Sequence, residues 1–565
     1  MVGNGRGGGL LQPLRDDGSP AGPRVEVADL AAAAADHARD GQVRWVWSST
    51  SECYPSLLAA GARVDRCHDL ALTEALLLGY AGRWGEPRSL AAALARLHGA
   101  PVPDDPPARG TDRVSTRQQT LFDAGRPDRL GPTAELAAVA AVHAAQLAAV
   151  SRAPQPDRLG LLVAAESAGA LAAVELGVAG LPWRADVHDA LLRELLGARP
   201  ASGTRPPRLR ELADQIAAAF GGRRVNPDSP AEVIRALAAD GVPVPSARLA
   251  VLRGVNHPAA PLLLAYKELS RLHAAHGWAW LDSWVTGGRF HGEYVAGGVV
   301  SGRWATRGGG ALQIPHAVRR AVVADPGWVL VVADAAQLEP RVLAARSQDG
   351  GLAAVAAQGD LYTALAADAF GGDRARAKVA VLSAMYGGTG GEVGPLLAVL
   401  RRRFPAAVEY VETAARAGEE GRLVRSALGR TCPPPSRRWR EYLAQGGEPD
   451  ADLDERQRAQ QLARERGRFT RNFVIQASAA DWALVLLAAL RRRLAGVPPA
   501  GPDSRAELVF FQHDEVVVHC PAAAADAVVA AVRAAADEAS RLVFPGTPVR
   551  FPLGVAVAES YADAK

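Results

Sequence analysis

The chain reads as an α+β protein, and three observations carry that reading. Helical periodicity fills long stretches of its 565 residues. Strand-like apolar runs come in separated blocks, at 289–300, 328–337 and 510–520. Helices are inserted between these blocks without regular βαβ alternation. A chain this long holds roughly two to four structural units.

Composition narrows the class. Hydrophobic residues make up 48% and charged residues 22%, a soluble globular profile. The net charge of +4 is compatible with a nucleic-acid partner and too small to argue for one alone. Cys53, Cys67, Cys432 and Cys520 are scattered, with no CxxC pair. That speaks against a zinc module or a disulfide framework and fits a reducing cytoplasm. No uninterrupted apolar run reaches the ~18–20 residues of a membrane span, so no membrane partner is expected.

Residues 1–24 are Gly/Pro-rich, lack the apolar core of a signal peptide, and read as a disordered tail. Short strand-like pieces and Ala/Leu helices follow, from about 25 to 150, interrupted by the Pro-rich "GAPVPDDPPARGTDR". Residues 160–187 read as a helix with an exit loop, and 188–285 as helical. Within the latter, Ser229 precedes Pro230 and stands three residues before Glu232, a capped helix start. Then come the strand-rich 289–300, a Gly-rich loop at 301–310 and the strand "WVLVVADAAQ". A long helical region runs to about 500. A hairpin, "FFQHDEVVVHC", interrupts two β-type runs with His513, Asp514 and Glu515.

Asp334 and Asp514 each stand at the end of an apolar strand. A carboxylate on a rigid element suits a metal ligand; an ordinary strand-end Asp is the plainer reading of either acid alone. If the two strands are neighbours, the pair could hold two divalent ions. Mg²⁺ often takes only one or two protein carboxylates and completes its shell with phosphate oxygens and water. Two such ions ~3.5–4 Å apart serve phosphoryl transfer.

Between the acids, Arg374, Lys378, Leu382 and Tyr386 are spaced four apart in "DRARAKVAVLSAMYGG". On a helix they form one slowly turning stripe. Its cations suit phosphates, and its apolar end suits sugar and base; a solvated basic helix end is the alternative. Lys267, Lys378 and Lys565 are the only lysines. In a chain that otherwise uses Arg, Lys378 suggests a requirement for a compact point charge. "SGRWATRGGGALQIP" is a Gly/Arg loop able to approach a phosphate backbone. Arg468, Asn472 and Gln476, again four apart, put a polar stripe on an apolar helix, either an exposed face or a minor-groove reader. No Gly-x4-Gly-Lys-Ser/Thr P-loop is present.

In order and spacing these motifs resemble the family A DNA polymerases, the bacterial DNA polymerase I group. "DAAQLEPR" is similar to the family's first acidic motif, "RARAKVAVLSAMYG" to its fingers helix and "QHDE" to its last motif. "GR" at 302–303, "LQIP" at 312–315, "GDLYTALAADAFG", "LGR" at 428–430 and "RNFVIQASAAD" add to the match, which covers roughly 185–565. The resemblance implies a right-hand fold, with a thumb at 185–288, a palm at 289–345 and 468–565, and fingers at 346–467. It implies a monomeric cytoplasmic, nucleoid-associated enzyme that acts on primer–template DNA and dNTPs with two Mg²⁺ ions, Mn²⁺ being an alternative.

By position, the resemblance makes Asp334 and Asp514 the metal ligands, supported by Glu515, with Lys378 acting on the triphosphate. Arg374, Lys378, Leu382, Tyr386, Gln337, Glu339 and Tyr362 would surround the incoming nucleotide. Glu339 would be the steric gate against a ribose 2′-OH, and Tyr386 would close on the nascent pair. Arg303, Arg341, Arg468, Asn472, Gln476 and His513 would touch DNA. The chain departs from the family at Leu382, where an aromatic is usual, at Tyr362, where histidine is usual, and at Val299 and Trp304, where small polar residues are usual. The first of these bears on stacking and sugar discrimination.

Residues 25–184 occupy the place of the family's RNase H-like 3′–5′ exonuclease domain. The candidate first strand, "VRWVWSSTSE", carries no Asp-x-Glu, and "AVHAAQLAAV" stands where a Tyr-x-x-x-Asp is expected. "RCHDLALTEALLLGY" resembles the helix after the second motif. The expectation is a degenerate exonuclease fold kept for structure, with no 5′-nuclease domain before it. Asp65, Asp69 and Glu74 keep a nuclease reading open, and a catalytically silent DNA-binding scaffold is the other alternative.

Overall fold

A computed structural model describes residues 1–38, 43–107, 131–201, 203–307, 314–388, 393–499, 501 and 504–564. The ends of the Pro-rich insert and of the Gly/Arg loop (308–313), and Lys565, lie outside the described residues.

The centre is a four-stranded antiparallel sheet in the order Glu507–Gln512, Glu515–Pro521, Trp328–Ala335, Leu553–Ala558. Alternation along the middle strand sends Val331, Ala333 and Ala335 into one apolar core and Leu330 and Val332 into another. Burial on both faces explains why this strand reads as a continuous apolar run. A register shift between Leu508 and Phe510 puts Val509 and Phe510 in the same core, although they are adjacent in sequence.

One face is covered by Ala525–Val543 and by the 43-residue helix Leu453–Ala495. A reciprocal capping box of Asp452 and Glu455 starts that helix, which runs about 65 Å at 1.5 Å per residue. The other face is covered by the helical segment 185–284, whose Leu192, Leu263 and Trp280 share a core with the sheet. Its short helix Pro230–Ala239 is capped by Ser229, which accepts from Glu232 N at 3.3 Å. Glu232 itself turns to Asn226 N, so the expected box is half made.

The N-terminal part departs from expectation. Residues 1–24 are ordered: Val2–Gly3, Gly9–Leu11 and Val25–Val27 form an antiparallel sheet. The Met1 amino group donates to the Val46 carbonyl at 3.0 Å, and burial lowers its pKa to about 6. Val2 and Leu10, isolated in a Gly-rich sequence, carry enough apolar surface to dock on Val139 and Leu70. Arg44–Trp47 and Arg66–Asp69 pair in parallel. The helix Pro156–Ala179, expected to belong wholly to this part, buries Leu159, Leu162 and Leu176 in the same core as the central sheet.

Three helices, Pro132–Ser151, Pro156–Ala179 and Leu453–Ala495, are by length and composition apolar enough to cross a membrane. Counting uninterrupted apolar runs misses them. In the longest, 89% of the most apolar window is buried inside the fold, so its apolar surface is already used in packing.

Helix Pro405–Glu419 crosses the long helix at glycines. A Cβ on Gly418 would lie 2.0 Å from Thr470 Oγ1. In an open helix Gly→Ala stabilises by about 0.5–1 kcal/mol; at Gly418 overpacking reverses the sign, at about 1–3 kcal/mol. Thermal unfolding should show a lower Tm for Gly418→Ala. Gly394→Ala, where an added Cβ meets nothing within 4 Å, should leave the Tm unchanged or raised.

Candidate active site

Antiparallel register places Asp334 directly opposite Glu515. Asp514 occupies the two-residue turn beyond, and its carbonyl accepts from Ala335 N at 3.0 Å. The turn needs a positive φ, and His513 supplies it at 57°, a conformation uncommon for a residue with a Cβ. Asp334, on its strand, and Asp514, in the turn that begins the neighbouring strand, are thus close. Burial, and then the charge of Asp334, push the Asp514 carboxyl up to about 6. Glu515 is buried and accepts from the Tyr561 hydroxyl at 2.7 Å.

This donor set fits a hard divalent cation. Two carboxylates that repel each other in a partly desolvated place are relieved by positive charge. Among the described residues no group of three or more His, Cys, Asp and Glu is arranged to hold a metal. The chain would therefore supply Asp334 and Asp514, leaving the other positions to substrate and water, as Mg²⁺ tolerates.

Beside the acids, three elements meet at Glu339, on helix Leu338–Ser347. Arg303 donates to one of its oxygens at 2.5 Å, and the Tyr386 hydroxyl donates to the other. Gln476 hydrogen-bonds Tyr386 in turn. His513 lies near Arg303 and Glu339; burial, more than the Arg303 charge, lowers its pKa, and its Nδ1 is buried without a hydrogen bond. The polar stripe on the long helix faces this place. Arg468 is exposed and packs against Gly387, where φ is 72° at the end of helix Arg374–Tyr386. Asn472 is half-buried, with its Oδ1 unpartnered.

The helix Arg374–Tyr386 starts at Asp373, whose side chain accepts from Arg376 N. Arg374 pairs with Asp360 at 3.0 Å and lies over the Tyr362 ring. Arg374 is also the main cause that holds the Asp360 carboxyl below the usual range. Gln337, left-handed at φ 56°, donates to Asp360 at 2.7 Å and accepts from Leu361 N at 2.8 Å. Lys378 is exposed and makes no ion pair among the described residues. Leu382 is half-buried against the main core.

Two expectations need correction. Arg341 is 0% exposed and touches no solvent-facing surface. Its guanidinium donates to the carbonyls of Ala336 (3.0 Å), Ala356 (2.6 Å), Arg550 (2.9 Å) and Gly359. A planar fork of donors is used here to satisfy backbone acceptors, not to reach DNA. Tyr362 is buried in the core at 6% exposure; it supports Arg374 from behind and does not line an open nucleotide site. One residue that orders the site's side chains was missed. Asp360 orders both Arg374 and Gln337, and its signal was the Asp-x-x-Thr helix start in "GDLYT", since its side chain also accepts from Thr363 N.

The raised Asp514 pKa has a signed consequence. The carboxyl is pushed up to about 6 in the folded chain, against ~3.9 for an unperturbed Asp. Above pH 6 it is ionised in both states, and the buried charge costs stability; below the ordinary Asp range, ~3.9, it is protonated in both and the cost is gone. In chelator at pH 8, Asp514→Asn should therefore exceed wild type by up to about 3 kcal/mol. The gain should vanish near pH 4, which thermal unfolding at both pH values checks.

A model of DNA polymerase family A matches residues 203–563. The thermostable DNA polymerase I of Thermus filiformis is 28% identical over 348 residues, 56% of this chain and 38% of that protein. DNA polymerase I of Chloroflexus aurantiacus is 29% identical over 293 residues, 47% of this chain and 28% of that protein. The match thus spans less than two fifths of either relative's length. In fold, the chain is similar to the POL domain of Pol1 from M. smegmatis, solved in complex with DNA primer-template and dNTP. That likeness has a TM-score of 0.70 at 19% identity and covers 98% of this chain and 93% of that one. With the family model spanning most of its length and the sheet setting Asp334 beside Asp514, the chain belongs to DNA polymerase family A.

Proposed function

We propose that the chain is a template-directed DNA polymerase that extends a primer 3′-OH with dNTPs and releases pyrophosphate. The observation that carries this reading is the pair of neighbouring, mutually repelling carboxylates, Asp334 and Asp514, at the tip of a sheet buried on both faces.

Asp334 and Asp514 would hold two Mg²⁺ ions, which when bound lower the barrier to phosphoryl transfer by neutralising charge on the attacking and leaving oxygens. The chain's own residues bind and orient. Lys378, exposed and without an ion pair among the described residues, presents a point charge to the triphosphate. Arg374, aligned by Asp360 and Gln337, presents a second. Glu339, held by Arg303 and Tyr386, fills the space of a ribose 2′-OH. Tyr386 and Leu382 pack against the new pair. Arg303, His513, Arg468, Asn472 and Gln476 contact the DNA. Within this reading the segments 185–288, 346–467 and the flanking parts serve as thumb, fingers and palm. The setting is repair or gap filling by a cytoplasmic monomer.

Residues 25–184 we read as a degenerate exonuclease domain without proofreading. Two of the three candidate acids are engaged structurally: Asp69 accepts from Thr50 N at 2.7 Å and Leu72 N at 2.9 Å, and Glu74 pairs with Arg96 at 2.8 Å; Asp65 is exposed.

Primer extension with Mg²⁺ tests the proposal. Wild type should lengthen a labelled primer, and Asp334→Asn should not, while still binding the duplex. Binding without any extension by wild type would support the scaffold alternative. Primer shortening without dNTPs that persists in Asp334→Asn would show that the N-terminal part cuts. Lys378→Ala removes a charge-assisted contact of about 1.5–3 kcal/mol, so kcat/KM for dNTP should fall roughly 10- to 100-fold.

A further inference from the structure

A buried ionic cluster joins the N-terminal helix Pro156–Ala179 to the loop that carries Arg303. Glu166, 2% exposed, accepts from Arg430 Nη2 at 2.5 Å. Asp481, on the long helix, stands 3.5 Å from Arg430 Nε and is fully buried. Asp481 also accepts from Leu428 N at 3.0 Å, which fixes the turn that presents Arg430. Two carboxylates therefore hold one guanidinium away from water.

The guanidinium is also a floor. Gly302 has φ +86° and lies directly on it: an added Cβ would sit 2.3–2.8 Å from Nε, Cζ and Nη2 of Arg430. Gly297, φ +61°, lies as closely on Glu166, whose Oε1 would be 2.5 Å from a Cβ there. Both ends of the loop 297–302 thus rest on the Glu166–Arg430 pair. The next residue is Arg303, which grips Glu339 opposite Tyr386.

We propose that Glu166, from the N-terminal part of the chain, is a positioning residue for the nucleotide site, acting through Arg430 and the Gly302 backbone on Arg303 and Glu339. The inference rests on the polymerase reading above. It gives the N-terminal helix a task that needs no nuclease chemistry. Glu166 touches no substrate. Its charge keeps Arg430 flat beneath Gly302, and the loop in turn sets how firmly Glu339 fills the 2′ position. Displacement of a positioning group by even ~1 Å costs up to about 100-fold in rate, so a small tilt of Arg430 is enough.

Single-nucleotide primer extension with dNTP and rNTP, run on wild type, Glu166→Gln, Glu166→Asp and Gly302→Ala, tests this. Glu166→Gln keeps the shape and removes the charge. Its KM for dNTP should rise about tenfold with kcat changed much less, and its dNTP-over-rNTP preference should fall by a similar factor. Glu166→Asp should recover part of both. Gly302→Ala leaves every charge in place and pushes the loop off Arg430, so it should show the same loss of preference. In the Glu166→Gln/Glu339→Ala double variant the two losses should not add, since they act on one contact. A merely structural role would lower Tm and scale activity without moving the dNTP/rNTP ratio, and that result overturns the proposal. So does additivity in the double variant. If Glu166→Gln is unfolded, Gly302→Ala with an unchanged ratio overturns it equally. A wild type that extends no primer sinks the polymerase reading and this one together; a wild type that extends beside a fully discriminating Glu166→Gln sinks only this one.

Discussion

Backbone pairing between Trp328–Ala335 and Glu515–Pro521 sets Asp334 beside the Asp514 turn, the pair on which the site is built. The register runs from Trp328 opposite Pro521 to Asp334 opposite Glu515. A slip of one residue would exchange the faces of the whole strand, sending Val331 and Ala333 toward the core that now holds Leu330 and Val332. Because both faces are packed, neither residue set can move without opening a cavity. The rigidity that follows is what lets Asp514 remain beside Asp334 in spite of their repulsion. The strain of the His513 turn is carried by the same pairing.

Arginine organises what surrounds the sheet. Arg341 gathers four carbonyls where helix, loop and strand converge. Arg491, on the long helix, reaches Glu175 at 2.6 Å and the carbonyls of Asp65 and Val64, and so ties the N-terminal part to the central sheet's helix layer. Arg430 does the same through Glu166. In each case one planar cation satisfies several buried acceptors at once, which an ammonium cannot match in geometry. Breaking such a pair leaves an uncompensated buried charge, so these residues make the N-terminal and central parts one packed body. Against this background the exposed Lys378 is chemically distinct.

Helix Arg374–Tyr386 bridges two environments. At its start Arg374 is aligned by Asp360, which Gln337 holds from the strand side. At its end Tyr386 reaches Glu339, and Gly387 turns the chain past Arg468. Both ends of the helix are therefore fastened to the element that follows Asp334, so a shift of the helix is felt at Glu339 and Gln337 together.

Much was determined by the sequence alone. The strand Trp328–Ala335, the hairpin at His513 and Asp514, the helix Arg374–Tyr386 ending at Gly387 and the polar stripe Arg468, Asn472, Gln476 are all legible as local pattern. They are legible because apolar periodicity, helix caps and turn residues act over a few neighbours. Four-residue spacing also indicated which cations share a face. Only the tertiary structure decided what those side chains meet. The family resemblance makes Arg341 a DNA contact, and it is buried among carbonyls. The resemblance puts Tyr362 at the nucleotide, and it is packed in the core. Residues 1–24 have a disordered composition and are ordered by docking Val2 and Leu10 on a neighbour. Glu166 and Arg430 are 264 residues apart, and although Arg430 lies in the "LGR" motif, its pairing with Glu166 is written in neither segment. Burial and partnership are sums over residues distant in sequence, and no local pattern records them.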